Sequence, residues 1–167
     1  MAALVWLALC GPAAAASVPP DLFGEWQGRI ETAEPPLGEF GQPARLSLKQ
    51  DGPGFSVSWK LAELALSEVE MAPTSRPDVY GPSAKGGMLS MFGSDSPANP
   101  LAGEGLLWAR AAEGELIVYS MSIMQGGAFA LDRASWKLDG DGLVLHYTRR
   151  DGVSQEQAVT ARLSRAR

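Results

Sequence analysis

Few side chains in this sequence have the type and spacing that covalent or metal chemistry requires. His146 is the only histidine, so a Ser–His–Asp arrangement has one candidate base, and no G-x-S-x-G elbow surrounds any serine. Zinc sites need clustered histidine and cysteine ligands, and Cys10 is the only cysteine. The residues therefore predict no nucleophile, no metal site and no cofactor, and we expect the protein not to be an enzyme.

Two groups of carboxylates are the remaining candidates for chemistry. The Asp-Gly-Asp-Gly motif at 139–142 resembles the start of a calcium loop but lacks the later ligands and the closing glutamate. A hairpin turn explains this motif better. Glu68 and Glu70 would share one face of a strand, and a solvated face is the default for such a pair.

The first residues of the chain resemble a secretory signal. Met1 to Leu9 is almost entirely apolar, and Ala14-Ala15-Ala16 forms an A-x-A-like cleavage site before Ser17. The apolar stretch is shorter than the ~20 residues that a helix needs to cross a bilayer. We therefore predict a signal peptide at 1–16 and a periplasmic or secreted protein.

Cys10 supports one alternative, an acylated lipoprotein cysteine. The residue before such a cysteine is normally small, and here it is Leu9, so this alternative fits less well. Cleavage after Ala16 would leave a mature chain without any thiol. Disulfide bonds would then be excluded, although the compartment permits them.

The remaining residues, 17–167, suit a single domain, because a chain of about 150 residues buries enough surface to fold without disulfides. The formal net charge is −5, and the basic residues are scattered among acids. Without a basic stripe, nucleic-acid binding is not expected. No second long apolar run follows the leader, so we expect no membrane span in the mature chain. The oligomeric state stays open.

Alternating apolar residues and glycine turns indicate that this domain is all-β. Phe55, Val57 and Trp59 face one way after the turn at 51–54, and this period of two is typical of a half-buried hairpin. Further Asp-Gly and Gly-Gly pairs separate short apolar segments. We predict an antiparallel up-and-down meander of about eight to ten strands, closed into a calycin-like barrel because closure removes exposed edges.

One segment breaks this pattern. Residues 72–103 hold five prolines and five glycines, which predicts a long loop. Loops of this length in compact domains are usually lids, binding loops or disordered segments. Met88, Met91 and Phe92 form an apolar island within it, for which we predict a short strand and a place over the barrel opening.

The motif Gly24-x-Trp26 resembles the opening of lipocalins and of the wider calycin group. The resemblance covers the two ends of the chain and implies an up-and-down barrel that holds a small apolar ligand. It also implies that the indole of Trp26 closes one end of the barrel beneath an arginine from the last strand. Arg162 or Arg165 stands at that place, and we assign the closing role to Gly24, Trp26 and Arg162.

The same opening is also similar to that of nitrobindin-type haem barrels, which use a histidine as the haem ligand. Here Arg29-Ile30-Glu31 replaces further glycines. His146 is predicted on the strand face opposite Leu143, Leu145 and Tyr147. We therefore expect no haem.

Methionine and aromatic side chains supply the candidate ligand-binding residues. Methionine adapts to varied apolar ligands, and a barrel of about eight strands has room for packed side chains or for one small ligand. The residues that we predict to line the lumen are Trp59, Met88, Met91, Phe92, Trp108, Met121 and Phe129. The leading hypothesis is non-catalytic binding of a small hydrophobic molecule of the lipid or fatty acyl type. The alternative is a filled barrel that acts through its surface, as an envelope interaction or inhibitor module.

The predicted signal peptide leads to a first testable prediction. When the chain is expressed with this leader in a host that exports it, we expect the mature protein to begin at Ser17, because signal peptidase cleaves after A-x-A-like sites. Intact-mass spectrometry should show a chain that lacks Cys10 and does not react with thiol reagents. A lipid-modified chain that begins at Cys10 would instead establish the lipoprotein alternative.

Overall fold

The computed structural model describes residues 17–76, 78–83, 105–112, 114–123 and 126–166. These residues form a closed barrel of ten antiparallel strands, preceded by a 3₁₀ turn at Pro20–Leu22. The strands are β1 (Gly24–Ala33), β2 (Pro43–Asp51), β3 (Gly54–Leu61), β4 (Leu64–Pro73), β5 (Val79–Pro82), β6 (Leu106–Ala112), β7 (Glu115–Ile123), β8 (Phe129–Asp139), β9 (Gly142–Asp151) and β10 (Gln157–Arg165). The predicted all-β, up-and-down barrel is confirmed. The predicted signal peptide at 1–16 lies outside the described residues.

Each strand pairs with its neighbour in sequence, and β10 pairs with β1 to complete the ring. Short turns join most of the consecutive strands and place them side by side. At the turn between β8 and β9, Gly140 adopts a φ of +60°, which glycine accepts because it has no Cβ. None of the described residues belongs to a helix that is long and apolar enough to cross a bilayer.

Alternation along the strands separates an inner from an outer face. In β2, Ala44, Leu46 and Leu48 are buried, while Arg45 and Lys49 are exposed. Apolar side chains from all around the ring meet in one interior core. The largest of those that are less than 2% exposed are Trp136, Tyr147, Phe55, Leu22, Ile30, Leu46, Leu48, Leu61, Met71, Leu116, Leu143 and Leu145.

Trp26 closes one end of the barrel at the seam between β1 and β10. Its Nε1 donates a hydrogen bond of 2.9 Å to the carbonyl of Leu22. The guanidinium carbon of Arg165 lies 4.6 Å from the centroid of the indole ring, within cation–π range. Arg165 also donates to the carbonyls of Phe23 and Asp21, at 3.1 and 2.8 Å. The arginine therefore ties the last strand to the turn that precedes the first.

The assignment of this closing role to Arg162 is wrong. Trp26 and Arg165 lie directly opposite each other across the seam, so they share one face of the sheet. Arg162 lies three residues earlier and points to the outer face. There it forms ion pairs with Glu31 at 3.2 Å and with Asp139 at 2.6 Å.

The predicted loop over 72–103 is partly wrong. The end of β4 extends into it, and β5 lies wholly within it. Tyr80 of β5 packs against Phe55 with ring centroids 5.0 Å apart. The sequence of β5, Val-Tyr-Gly-Pro, is too short to alternate and contains two residue types that disfavour strands. Tertiary pairing makes it a strand. Residues 84–103, with Met88, Met91 and Phe92, lie outside the described residues.

Close packing of the seam at Gly28 leads to a second prediction. A Cβ added to Gly28 would overlap the backbone carbonyl oxygen of Arg162, and this backbone cannot move aside without opening the seam. We expect Gly28→Ala to lower the free energy of unfolding by about 1–3 kcal/mol or more. Urea denaturation followed by tryptophan fluorescence would measure the change.

The matched control is Gly81→Ala. Gly81 also lies in a strand, and the nearest atom to an added Cβ would be Cγ2 of Thr74 at 3.6 Å, an ordinary van der Waals contact. We expect this variant to change the free energy of unfolding by no more than about 0.5 kcal/mol. Similar losses of unfolding free energy in the two variants would show that the contact between β1 and β10 at Gly28 is not unusually close.

Candidate functional site

A half-enclosed cavity of about 90 Å³ lies at the end of the barrel opposite Trp26. Trp59 comes near the end of β3, and Leu64 and Leu66 open β4, so the cavity lies where β3 turns into β4. Trp26 lies near the start of β1, which is the other end because the strands alternate in direction. The cavity is lined by Trp59, Leu64, Ala65, Leu66, Leu107, Val118, Ser120, Asp132, Ala134, Tyr147 and Arg149.

Strand register brings the polar members of this lining together. Ser120 on β7 pairs with Asp132 on β8, and Asp132 pairs with Arg149 on β9. In the next row, Ala134 pairs with Tyr147. Directly opposite residues project from the same face, so these side chains all point to the interior at one end of the barrel.

Asp132, Tyr147 and Arg149 form a hydrogen-bonded group, which we call the Asp132 network. Oδ1 of Asp132 accepts the Tyr147 hydroxyl at 2.8 Å and Nε of Arg149 at 2.7 Å, and Oδ2 accepts Nη2 of Arg149 at 2.9 Å. The Arg149–Asp132 contact is therefore bidentate, the strongest geometry for this pair. The Arg149 and Asp132 side chains are 30% and 21% exposed, so the network lies at the boundary between lumen and solvent.

The network also sets the protonation of its members. Burial raises the pKa of the Tyr147 phenol far above its ordinary value, and the neighbouring Asp132 carboxylate raises it further. Hydrogen bonds to Asp132 raise the pKa of the Arg149 guanidinium. Tyr147 is therefore a neutral hydrogen-bond donor, and Arg149 stays a cation, over the whole physiological pH range.

Trp59 contributes a second polar feature to the cavity. Its ring lies 5.4 Å from that of Tyr147, and its Nε1 is buried without a hydrogen-bond acceptor among the described residues. A buried donor without a partner costs about 1–3 kcal/mol. Nε1 of Trp136 has the same defect, but Trp136 is fully buried in the packed interior and does not line the cavity.

Of the predicted lumen residues that the structure describes, Trp59 is the one that lines the cavity. Trp108 is not in the lumen. It pairs with Tyr119 on the outer face, where the two rings stack with centroids 5.1 Å apart. Its neighbours in β6, Leu107 and Ala109, take the inward positions.

Met121 and Phe129 also lie outside the lumen. Met121 pairs with Leu131, one residue out of phase with the inward Ser120 and Asp132. Phe129 is 38% exposed. A shift of one residue moves a side chain to the opposite face of a sheet, and an aromatic or methionine residue does not by itself reveal the phase of its strand.

The Asp132 network was not predicted from the sequence, although one signal for it was present. Arg149 has the same strand parity as Leu143, Leu145 and Tyr147, which places a charged residue on an apolar face near the end of a strand. Such a charge needs a partner. The partner, Asp132, lies on the neighbouring strand, and sequence spacing alone does not select it from the other carboxylates.

The residues considered for catalysis do not meet at this cavity. His146 is exposed on the outer face, opposite Ser135. Glu68 is also exposed and lies 3.8 Å from Lys49. Within the described parts of the chain, no group of three or more His, Cys, Asp or Glu side chains is close enough to hold a metal ion.

No protein-family model matches this chain, and no curated protein matches it. Several solved structures are similar to this chain at low identity. They include Rv2717c from M. tuberculosis (15% identity, TM-score 0.40), apo lipid binding protein 8 from Caenorhabditis elegans (13%, 0.42) and an abundant heat soluble (SAHS) protein from Ramazzottius varieornatus (10%, 0.38). Each match covers 90% of this chain and 99–100% of the other. Likeness at this level carries no argument about function.

The burial of Tyr147 leads to a prediction about pH. Because its pKa is raised in the folded state, the unfolded chain releases the phenol proton first, near the ordinary pKa of about 10. The stability that comes from Tyr147 is fully present below that pH and is lost as the pH rises above it. We expect the free energy of unfolding to fall more steeply above about pH 10 in the wild-type protein than in Tyr147→Phe.

Urea denaturation at stepped pH would test this expectation. The difference between the two proteins should be constant through neutral pH, which serves as the internal control, and should shrink at alkaline pH. Parallel profiles over the whole range would show that Tyr147 ionises equally easily in the folded and unfolded states.

Proposed function

We propose that this protein is an exported, non-catalytic barrel that binds one small, mostly apolar molecule in the cavity opposite Trp26. The observation that carries the proposal is the composition of the cavity. Seven of its eleven lining residues are apolar, and four polar ones converge at one side. Small-molecule sites typically combine an apolar lining with a few fixed polar groups.

The volume of the cavity limits the size of the ligand. Sites for drug-sized molecules usually measure about 300–1,000 Å³, whereas this cavity measures about 90 Å³. It matches a short-chain molecule, or the end of a longer one whose remainder lies outside. Within the lipid or fatty acyl class expected from the sequence, the cavity volume therefore favours short chains or the ends of longer chains.

Two observations support the other parts of the proposal. The apolar leader that ends in Ala14-Ala15-Ala16 supports export. The position of His146 on the outer face, away from the cavity, supports a non-catalytic role, because a general base must reach the proton that it abstracts.

A second candidate function is a filled barrel that acts through its surface. Apart from the cavity, large apolar side chains fill the interior, and the cavity itself is small. On the outer face, the stacked pair of Trp108 and Tyr119 does not contribute to the core. Aromatic side chains at such positions are enriched in protein interfaces.

A variant that fills the cavity distinguishes between the two candidate functions. Ala134 lines the cavity and is 3% exposed, so Ala134→Leu adds three carbons to the lumen. If the cavity is a ligand site, this variant should keep a normal urea midpoint and lose the co-purifying mass that native mass spectrometry detects in the wild-type protein. In a fully packed barrel, the same change would cost about 1–3 kcal/mol of stability.

Lys137→Leu is the matched control, because Lys137 lies on the same strand but is exposed on the outer face. It adds a leucine outside the lumen and should retain the ligand. The proposal fails if the wild-type protein, purified from the host that exports it, carries no additional mass and binds none of a set of short-chain apolar molecules in calorimetric titration. The surface function would then be the better explanation.

A further inference from the structure

The cavity contains one acid and one base, and they already neutralise each other. Arg149 directs two of its N–H groups at Asp132 in a bidentate contact. A carboxylate ligand would therefore bring a third charge and leave the half-buried site with a net negative charge beside Asp132. A half-buried charge without a partner is unfavourable, so the site discriminates against anions.

The hydroxyl of Tyr147 is also committed. It has one hydrogen, which it donates to Oδ1 of Asp132 at 2.8 Å. Asp132 thus takes the only hydrogen of the Tyr147 hydroxyl and two of the five N–H groups of Arg149, and its negative charge lies beside any acid that approaches the other N–H groups. In effect, the protein supplies its own carboxylate to this pair of side chains.

Among the cavity donors that the structure describes, the indole N–H of Trp59 is the one that is fully buried and unpaired. It is buried, it belongs to a cavity-lining residue and it has no acceptor among the described residues. An uncharged N–H is matched by an uncharged acceptor, which adds no net charge to the site. Trp136 shows that an unpaired indole is not by itself a binding site, since its side chain is enclosed in the packed core and does not line the cavity.

We infer that the ligand carries an uncharged hydrogen-bond acceptor, such as an ester, ketone or ether oxygen, which receives the N–H of Trp59. The Asp132 network excludes the corresponding carboxylates. This inference rests on the proposed function, because it names the polar end of the molecule that the cavity holds.

A set of four ligands with one common chain tests this inference by calorimetric titration. The ligands are methyl hexanoate, hexanoate, hexylammonium and hexane, so that only the polar end changes. We expect the ester to bind the wild-type protein at least about tenfold more tightly than either charged ligand, and about three- to tenfold more tightly than hexane. Tighter binding of hexanoate or hexylammonium than of the ester would overturn the inference.

Two tryptophan variants test whether the N–H of Trp59 donates to the ligand. Trp59→Phe should remove the preference for the ester over hexane, because the ester then loses the hydrogen bond that the indole N–H donates. Trp136→Phe, the matched control, removes the other unpaired indole N–H and should keep that preference. Each protein is assessed by the ratio of its affinities for the ester and for hexane, because this ratio corrects for any change in cavity size. Retention of the preference in Trp59→Phe would overturn the role of Trp59.

Asp132→Asn tests the exclusion of anions. Asparagine keeps the shape and one acceptor oxygen of the aspartate but leaves the charge of Arg149 without a partner. We expect the selectivity to reverse, with hexanoate bound about tenfold more tightly than the ester. Unchanged selectivity would overturn the role of the network. If none of the four ligands binds the wild-type protein, the proposed function fails, and this result is distinct from a preference for the wrong ligand.

Discussion

The structure depends on the closure of β1 against β10. Without that seam, the ten strands would form an open sheet with two unpaired edges and no enclosed interior. Two features make closure possible, and they lie two residues apart on the inner face of β1. Gly28 allows the backbones to approach closely, and Trp26 fills the end of the barrel beneath Arg165. Every later property, from core packing to the cavity, requires these contacts.

Closing one end with Trp26 makes the two ends of the barrel different. Large side chains such as Trp136 and Leu145 occupy the interior beyond the plug, so that the remaining space lies at the opposite end. That space is bounded by a charged pair rather than by aliphatic side chains alone. The size of the cavity therefore follows from core packing, whereas its chemical character follows from Asp132 and Arg149.

A paired charge in the lumen is a poor source of stability, because desolvation offsets much of the attraction between the two ions. Partial exposure of Asp132 and Arg149 reduces that cost, and the Tyr147 hydroxyl satisfies a further acceptor site. The outer ion pairs of Arg162 lie in water and affect the interior little. We therefore connect the inner pair with selectivity for a ligand rather than with folding.

The sequence by itself determined the features that depend on neighbouring residues. Alternation along β2 and β3, glycine turns such as Gly140, and the tryptophan at the start of β1 were enough to predict an all-β barrel. Only the tertiary structure decided which face Trp108 occupies, that Arg165 rather than Arg162 covers the indole, and that Asp132 meets Arg149. These outcomes depend on register between strands, and register is set by closure of the whole ring. A shift of one residue reverses every side chain of a strand, and local spacing contains no information about that shift.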